Sequence, residues 1–101
     1  LRAGCAGTIP GVECCDVQAD IYDLWHSGDV AGATDKFRQV LPLLSFLMLT
    51  IDHLLCYGKR LAARRLQLET VYDRGPALPP AAANLATLDF WSNTLAPFTE
   101  N

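Results

Sequence analysis

Apolar residues recur with a helical period along most of this chain, interrupted by a punctuated opening and a proline-rich connector. Val17, Ile21, Leu24 and Trp25 stand at i, i+4, i+7 and i+8, which is one face of a helix. Asp16 is the expected N-cap, and Gly28 is expected to close the helix in the left-handed conformation. A second helix is predicted from Asp29 as cap, with Ala33, Phe37, Val40, Leu41, Leu44, Leu47 and Met48 on its apolar stripe, and Phe46 and Leu49 off it. Pro42 lies inside that pattern and predicts a kink near residues 38–42. A third helix is predicted from about Ile51 to Leu66. It turns Ile51, Leu54, Leu55, Leu61, Ala62 and Leu66 inward, and Lys59, Arg60, Arg64 and Arg65 outward or toward its C-terminal end, where they suit the dipole.

Residues 73–84 hold Pro76, Pro79 and Pro80 and predict an extended strap over the surface. Leu85, Leu88, Trp91 and Leu95 then mark a short last helix, capped by Asn84 or Thr87 and ended by Pro97. At the other end Gly4, Gly7, Pro10 and Gly11 exclude a helix, and the pair Thr8-Ile9 suggests a strand stub and turn. The expected fold class is mainly α, a strand stub plus about four helices. It forms one partial domain with segments 1–15, 16–28 and 29–101.

Size and charge narrow the function. A chain of 101 residues, 50% hydrophobic and 19% charged, holds a single core. Its eight Lys plus Arg are scattered and its formal charge is −3, so no basic stripe can neutralise phosphates and nucleic-acid binding is not expected. The longest apolar run, Val40 to Ile51, falls short of the roughly 20 residues needed to span a bilayer. The chain opens Leu1-Arg2-Ala3 and its only methionine is Met48, so we expect a piece of something longer.

Candidate chemistry is sparse. Cys5, Cys14, Cys15 and Cys56 read as four reduced thiols, some of them buried. Asp16, Asp20 and Asp23 share one helix side and read as a solvated acidic face rather than a catalytic or metal site. His53 and Cys56, three apart on the third helix, could begin a zinc site, but no CxxC pair completes it, and a satisfied histidine beside a core cysteine fits better. His26 is expected to meet the carbonyls at its helix end. Cys14 and Cys15 sit where a helix N-terminus lowers a thiol pKa, and Tyr57-Gly58-Lys59-Arg60 has too few glycines for a phosphate loop. The second helix carries more apolar surface than a small bundle covers, which implies a contact with other protein.

The order of short motifs is more specific. Gly4-Cys5-Ala6-Gly7-Thr8-Ile9-Pro10-Gly11 comes first, then Ile21-Tyr22-Asp23-Leu24, Ser27-Gly28-Asp29, Ala33 and Leu41-Pro42-Leu43. Gly58-Lys59-Arg60-Leu61 and Arg74-Gly75-Pro76 complete the series. Together they resemble the C-terminal end of the dihydrodipicolinate synthase and N-acetylneuraminate lyase family, over nearly the whole chain. The resemblance implies the end of a (β/α)8 TIM barrel with its appended helical segment. The opening would be the eighth strand, Asp16 to His26 the last barrel helix, and the rest the extension. A whole barrel takes roughly 250 residues, so about two thirds of such an enzyme would lie outside this chain.

That family forms a Schiff base between a lysine and pyruvate or another 2-oxo acid, with the lysine on the sixth strand and a helping tyrosine on the fifth. Neither position falls here, and Lys36 and Lys59 match no Schiff-base motif, so no catalytic residue is assigned and Lys59 reads as structural. By the resemblance Ile9 lines the 2-oxo acid pocket, with Thr8 and Gly7 as backbone neighbours. Pro10 stands where the family commonly has a small hydroxyl residue, Glu13-Cys14-Cys15-Asp16 replaces an Asn-containing approach, and Leu66-Gln67-Leu68 lacks the glycine that closes the third helix. The expected function is the C-terminal part of a cytoplasmic, homo-oligomeric lyase or aldolase, a tetramer in the family at large. It needs no metal or cofactor, has no nucleic-acid or membrane partner, and is inactive as this piece alone. The alternatives are a small helical protein-interaction module and a Cys/His metal-binding module.

Overall fold

The structure, a computed structural model, describes residues 1–98. Among them are four helices and no strand: α1 (Cys15–His26), α2 (Val30–Leu47), α3 (Ile51–Arg65) and α4 (Ala82–Ser92). The mainly α class holds. The strand stub does not form: residues 1–11 are irregular, and Thr8-Ile9 has no neighbouring strand among the described residues with which to make a ladder. The chain divides into two compact units, residues 1–41 and the residues from Pro42 onward.

In the first unit a 3₁₀ turn, Val12–Cys14, leads into α1, which starts at Cys15. Asp16 is therefore inside the first turn, where its charge suits the helix dipole, and is not the cap. Val17 and Ile21 are buried as expected, while Leu24 and Trp25 are half-buried. Gly28 closes α1 at φ +92°, with its N–H bonded to Trp25 O at 3.2 Å and that of Asp29 to Leu24 O at 3.0 Å. Two orphan carbonyls are thereby satisfied by a residue that pays no Cβ penalty in this conformation. Asp29 then caps α2, its Oδ1 accepting from the Gly32 N–H at 2.9 Å.

α2 stays helical through Pro42 to Leu47, and the two units part at that proline. Its buried positions are Ala33, Val40, Leu43, Phe46 and Leu47, whereas Phe37, Leu41 and Met48 are exposed. Phe46 is inside because, in the second unit, its ring packs on His53 and Tyr57, with centroids at 4.8 and 5.4 Å. The core of that unit also holds Leu61 and Leu88, nearly solvent-free; burying a leucine of this kind contributes about 1.5–3 kcal/mol.

Thr50 caps α3, its hydroxyl accepting from the His53 N–H at 3.0 Å. Residues Leu54–Gly58 form a π turn. Such a turn takes one residue more than an α turn, so the buried face slips around the helix. Cys56, Tyr57 and Gly58 are buried in succession, while Ile51, Leu55 and Leu66, expected inward, are exposed. Arg65, expected outward, is 3% exposed. Its Nε donates to Ala96 O at 2.8 Å, its guanidinium lies 4.1 Å above the Phe98 ring, and its carbonyl accepts from the Phe98 N–H at 2.7 Å. Gln67 ends α3 at φ +57°, where a glycine is the usual occupant.

The strap is irregular as expected. α4 begins at Ala82 with Ala81 in the cap position, whose methyl accepts no hydrogen bond, and Asn84 and Thr87, expected as caps, lie inside the helix instead. Leu88 and Ser92 are its buried residues, Leu85 is half-buried and Trp91 is exposed.

Candidate functional site

The only two lysines are both tied to acids. Lys36 Nζ pairs with Asp20 in the first unit. In the second, Lys59 Nζ donates to Tyr72 O at 3.0 Å and to Asp73 Oδ1 at 3.2 Å. A Schiff-base lysine must offer a neutral amine, which a desolvated pocket or a neighbouring cation favours and a carboxylate opposes. Neither lysine has the surroundings of a nucleophile.

Lys59 belongs instead to a clamp on the strap. Arg60 grips Asp73 with both arms, Nη2 to Oδ2 at 2.6 Å and Nη1 to Oδ1 at 3.3 Å, and Nη1 also donates to Cys56 O at 2.9 Å. This fork geometry suits a guanidinium and a carboxylate. The Arg60 guanidinium, with Lys59 behind it, holds the Asp73 carboxyl below the usual carboxylate range, and Asp73 in turn raises Arg60. Beside the clamp is a cleft of about 270 Å³ lined by Asp52, Leu55, Cys56, Lys59 and Arg74 with the following strap residues. The π turn supplies two of those side chains, Leu55 and Cys56.

Gly7, Thr8 and Ile9 are all exposed, and the Ile9 side chain is fully in solvent. Gly7 and Thr8 line a shallow depression against α1, and Thr8 also borders a cleft of about 360 Å³ walled by Gln18, Ile21, Tyr22, Trp25 and Phe37. Cys15, Tyr22 and Asp23 line the same depression.

The other candidates disperse. His53 and Cys56 do not converge: the ring bonds Phe46 O at 3.0 Å through Nδ1, and the thiol accepts from Arg60 Nη1 at 3.5 Å. Among the described residues no group of His, Cys, Asp and Glu is arranged to hold a metal ion, and none of the four cysteines is in a disulfide, Cys14 and Cys56 being buried. Asp16 and Asp23 are exposed, and His26 packs on Tyr22 with ring centroids 4.2 Å apart. A polar cluster absent from the sequence expectations links α3 to α4. Asn84 Nδ2 lies 3.1 Å from Tyr57 Oη and 3.4 Å from His53 Nε2, and Tyr57 Oη also accepts from the Ala81 N–H at 3.0 Å. Its sequence signal is faint, since a single Asn beyond the prolines reads first as a helix cap.

No family model, curated protein or solved structure matches the chain. No single helix among the described residues is long and apolar enough to cross a membrane.

Proposed function

We propose that this chain is the C-terminal portion of a Schiff-base-forming lyase or aldolase of the dihydrodipicolinate synthase and N-acetylneuraminate lyase family, acting on pyruvate or a related 2-oxo acid. The carrying observation is that the quoted motifs coincide with the joints of the helical segment. Ser27-Gly28-Asp29 closes α1 and caps α2, and Lys59-Arg60 holds the strap at Asp73, next to Arg74-Gly75-Pro76. Pro42 sits within α2, inside Leu41-Pro42-Leu43. Motifs that serve as joints survive in a segment whose chemistry lies elsewhere, and the carboxylate-bound state of both lysines agrees with a reactive lysine outside it.

On this reading Gly7, Thr8 and Ile9 belong to the last barrel strand and gain their ladder, and the pocket beside the Schiff base, only in the intact cytoplasmic enzyme. The exposed apolar residues Phe37, Leu41, Met48, Leu49, Ile51 and Leu55 are then covered by the barrel or by another subunit of a homo-oligomer.

The test is reductive trapping. Pyruvate and borohydride should leave the 101-residue chain at its own mass. The longer chain encoded upstream should gain one reduced adduct, on a lysine about forty residues before Leu1, the rough length of two βα units. An adduct on Lys36 or Lys59, or an upstream sequence with no trappable lysine, refutes the assignment.

A further inference from the structure

His53 lies in the first turn of α3, and its ring touches three elements. From α2 comes Phe46, whose carbonyl is 3.0 Å from Nδ1 and whose ring meets the imidazole nearly edge-on. From α3 comes Tyr57, with ring centroids 4.7 Å apart, and from α4 comes Asn84, 3.4 Å from Nε2. None of the three carries a charge, and Tyr57 alone of them is titratable. Asp52, the neighbour in sequence, is exposed and borders the strap cleft.

A carbonyl only accepts, so Nδ1 bears a proton whatever the charge of the ring. Neutral His53 therefore presents a bare lone pair at Nε2, and the Asn84 atom facing it must donate. The second hydrogen of that amide goes to Tyr57 Oη, which accepts from the Ala81 N–H as well. Both hydroxyl lone pairs are then used, and donation runs outward from Asn84 to both rings. A proton taken from water onto Nε2 sets two donors face to face. Half a turn of the Asn84 amide about its terminal bond removes the conflict without moving the backbone. Oδ1 then accepts from Nε2 and from the Tyr57 hydroxyl, the hydroxyl oxygen keeps the Ala81 N–H, and the amide nitrogen points to the open side of a half-buried residue.

We propose that His53, Asn84 and Tyr57 form a proton-linked relay, in which protonation of His53 at Nε2 reverses the Asn84 amide and the Tyr57 hydroxyl. The relay keeps Ala81 and the start of α4 tied to α3 in both protonation states of His53. The contact at Nε2 shortens on protonation, because a charged donor makes the tighter bond. The relay does not depend on the lyase assignment, since all its groups lie in the second unit.

Isotope-resolved NMR of the full chain from pH 5 to 8 tests it. At the alkaline end the His53 nitrogens should report the Nδ1–H tautomer, and the Asn84 amide signals should move with the same midpoint as the ring. An Nε2–H tautomer, a ring that takes up no second proton in this range, or Asn84 signals that stay still while the ring titrates would each overturn the relay. Asn84→Asp supplies an acceptor only, at a first-turn position where an acidic residue favours the helix. In that variant His53 should remain doubly protonated down to a proton concentration at least tenfold lower than in the unaltered chain. An unchanged titration refutes the proposal.

Discussion

Gln67→Gly should stabilise the protein, although it removes a side chain and adds no contact. Gln67 closes α3 at φ +57°, its N–H bonded to Arg64 O at 3.1 Å and the next N–H, of Leu68, to Ala63 O at 2.8 Å. This is the hydrogen-bond pattern that Gly28 makes at the end of α1. For a residue with a Cβ the left-handed conformation costs about 1–2 kcal/mol. Glycine escapes that cost but loses more backbone freedom on folding, about 0.5–1 kcal/mol relative to alanine. The difference leaves a net gain of about 0.5–1 kcal/mol, which for a domain of this size raises Tm by roughly 2–8 °C. Urea unfolding followed through the fluorescence of Trp91, in the same unit, reads it directly. The midpoint should rise with an unchanged slope, because the surface exposed on unfolding barely differs. Gln67→Ala keeps the Cβ and should not reproduce the gain. A midpoint for Gln67→Gly that is unmoved or lower would show that α3 is not closed by a strained residue.

Three further substitutions probe the second unit. The Asp73 carboxyl is held below its ordinary range by Arg60 first and Lys59 second, so its contribution is fully present above the ordinary carboxylate pKa of about 4 and fades as pH falls through the lowered folded value. Asp73→Asn should therefore flatten the acid limb of a stability–pH curve and lower the plateau, and a curve parallel to that of the unaltered chain would remove the clamp from the account. Leu61→Ala should cost about 2–5 kcal/mol as a cavity, whereas Leu55→Ala, at a residue 56% exposed, should cost under about 1 kcal/mol by denaturant unfolding. Equal costs would mean that the π turn does not rotate the buried face.

Helix positions are legible in this sequence because their ends carry chemistry. Asp29 and Gly28 announce a cap and a closure, and both groups act as such. The strap is legible from its prolines, which bias the backbone whatever lies beneath. The opening fails for the opposite reason: Thr8-Ile9 has strand propensity, but a strand needs a neighbour, and propensity cannot supply one. Arg65 is misread because a guanidinium at a helix end is ordinarily solvated. Here Ala96 O and the Phe98 ring, both some thirty residues away, provide an acceptor and a π face, and no local pattern records that.

The faces of α3 show how one local irregularity hides a site. A reading at 3.6 residues per turn assigns Ile51, Leu54 and Leu55 to the same buried side as Leu61, which holds only while every turn is an α turn. The π turn at Leu54–Gly58 inserts about a quarter turn between the two halves of the helix. After it, Leu61 still faces inward, but before it Ile51 and Leu55 face out. Tyr57, inside that turn, meets Asn84 and Ala81, and Lys59 and Arg60, directly after it, meet Asp73 beside the strap. A single helix thus holds the strap at both Asp73 and Ala81, from within and just beyond the turn that defeats the periodic reading.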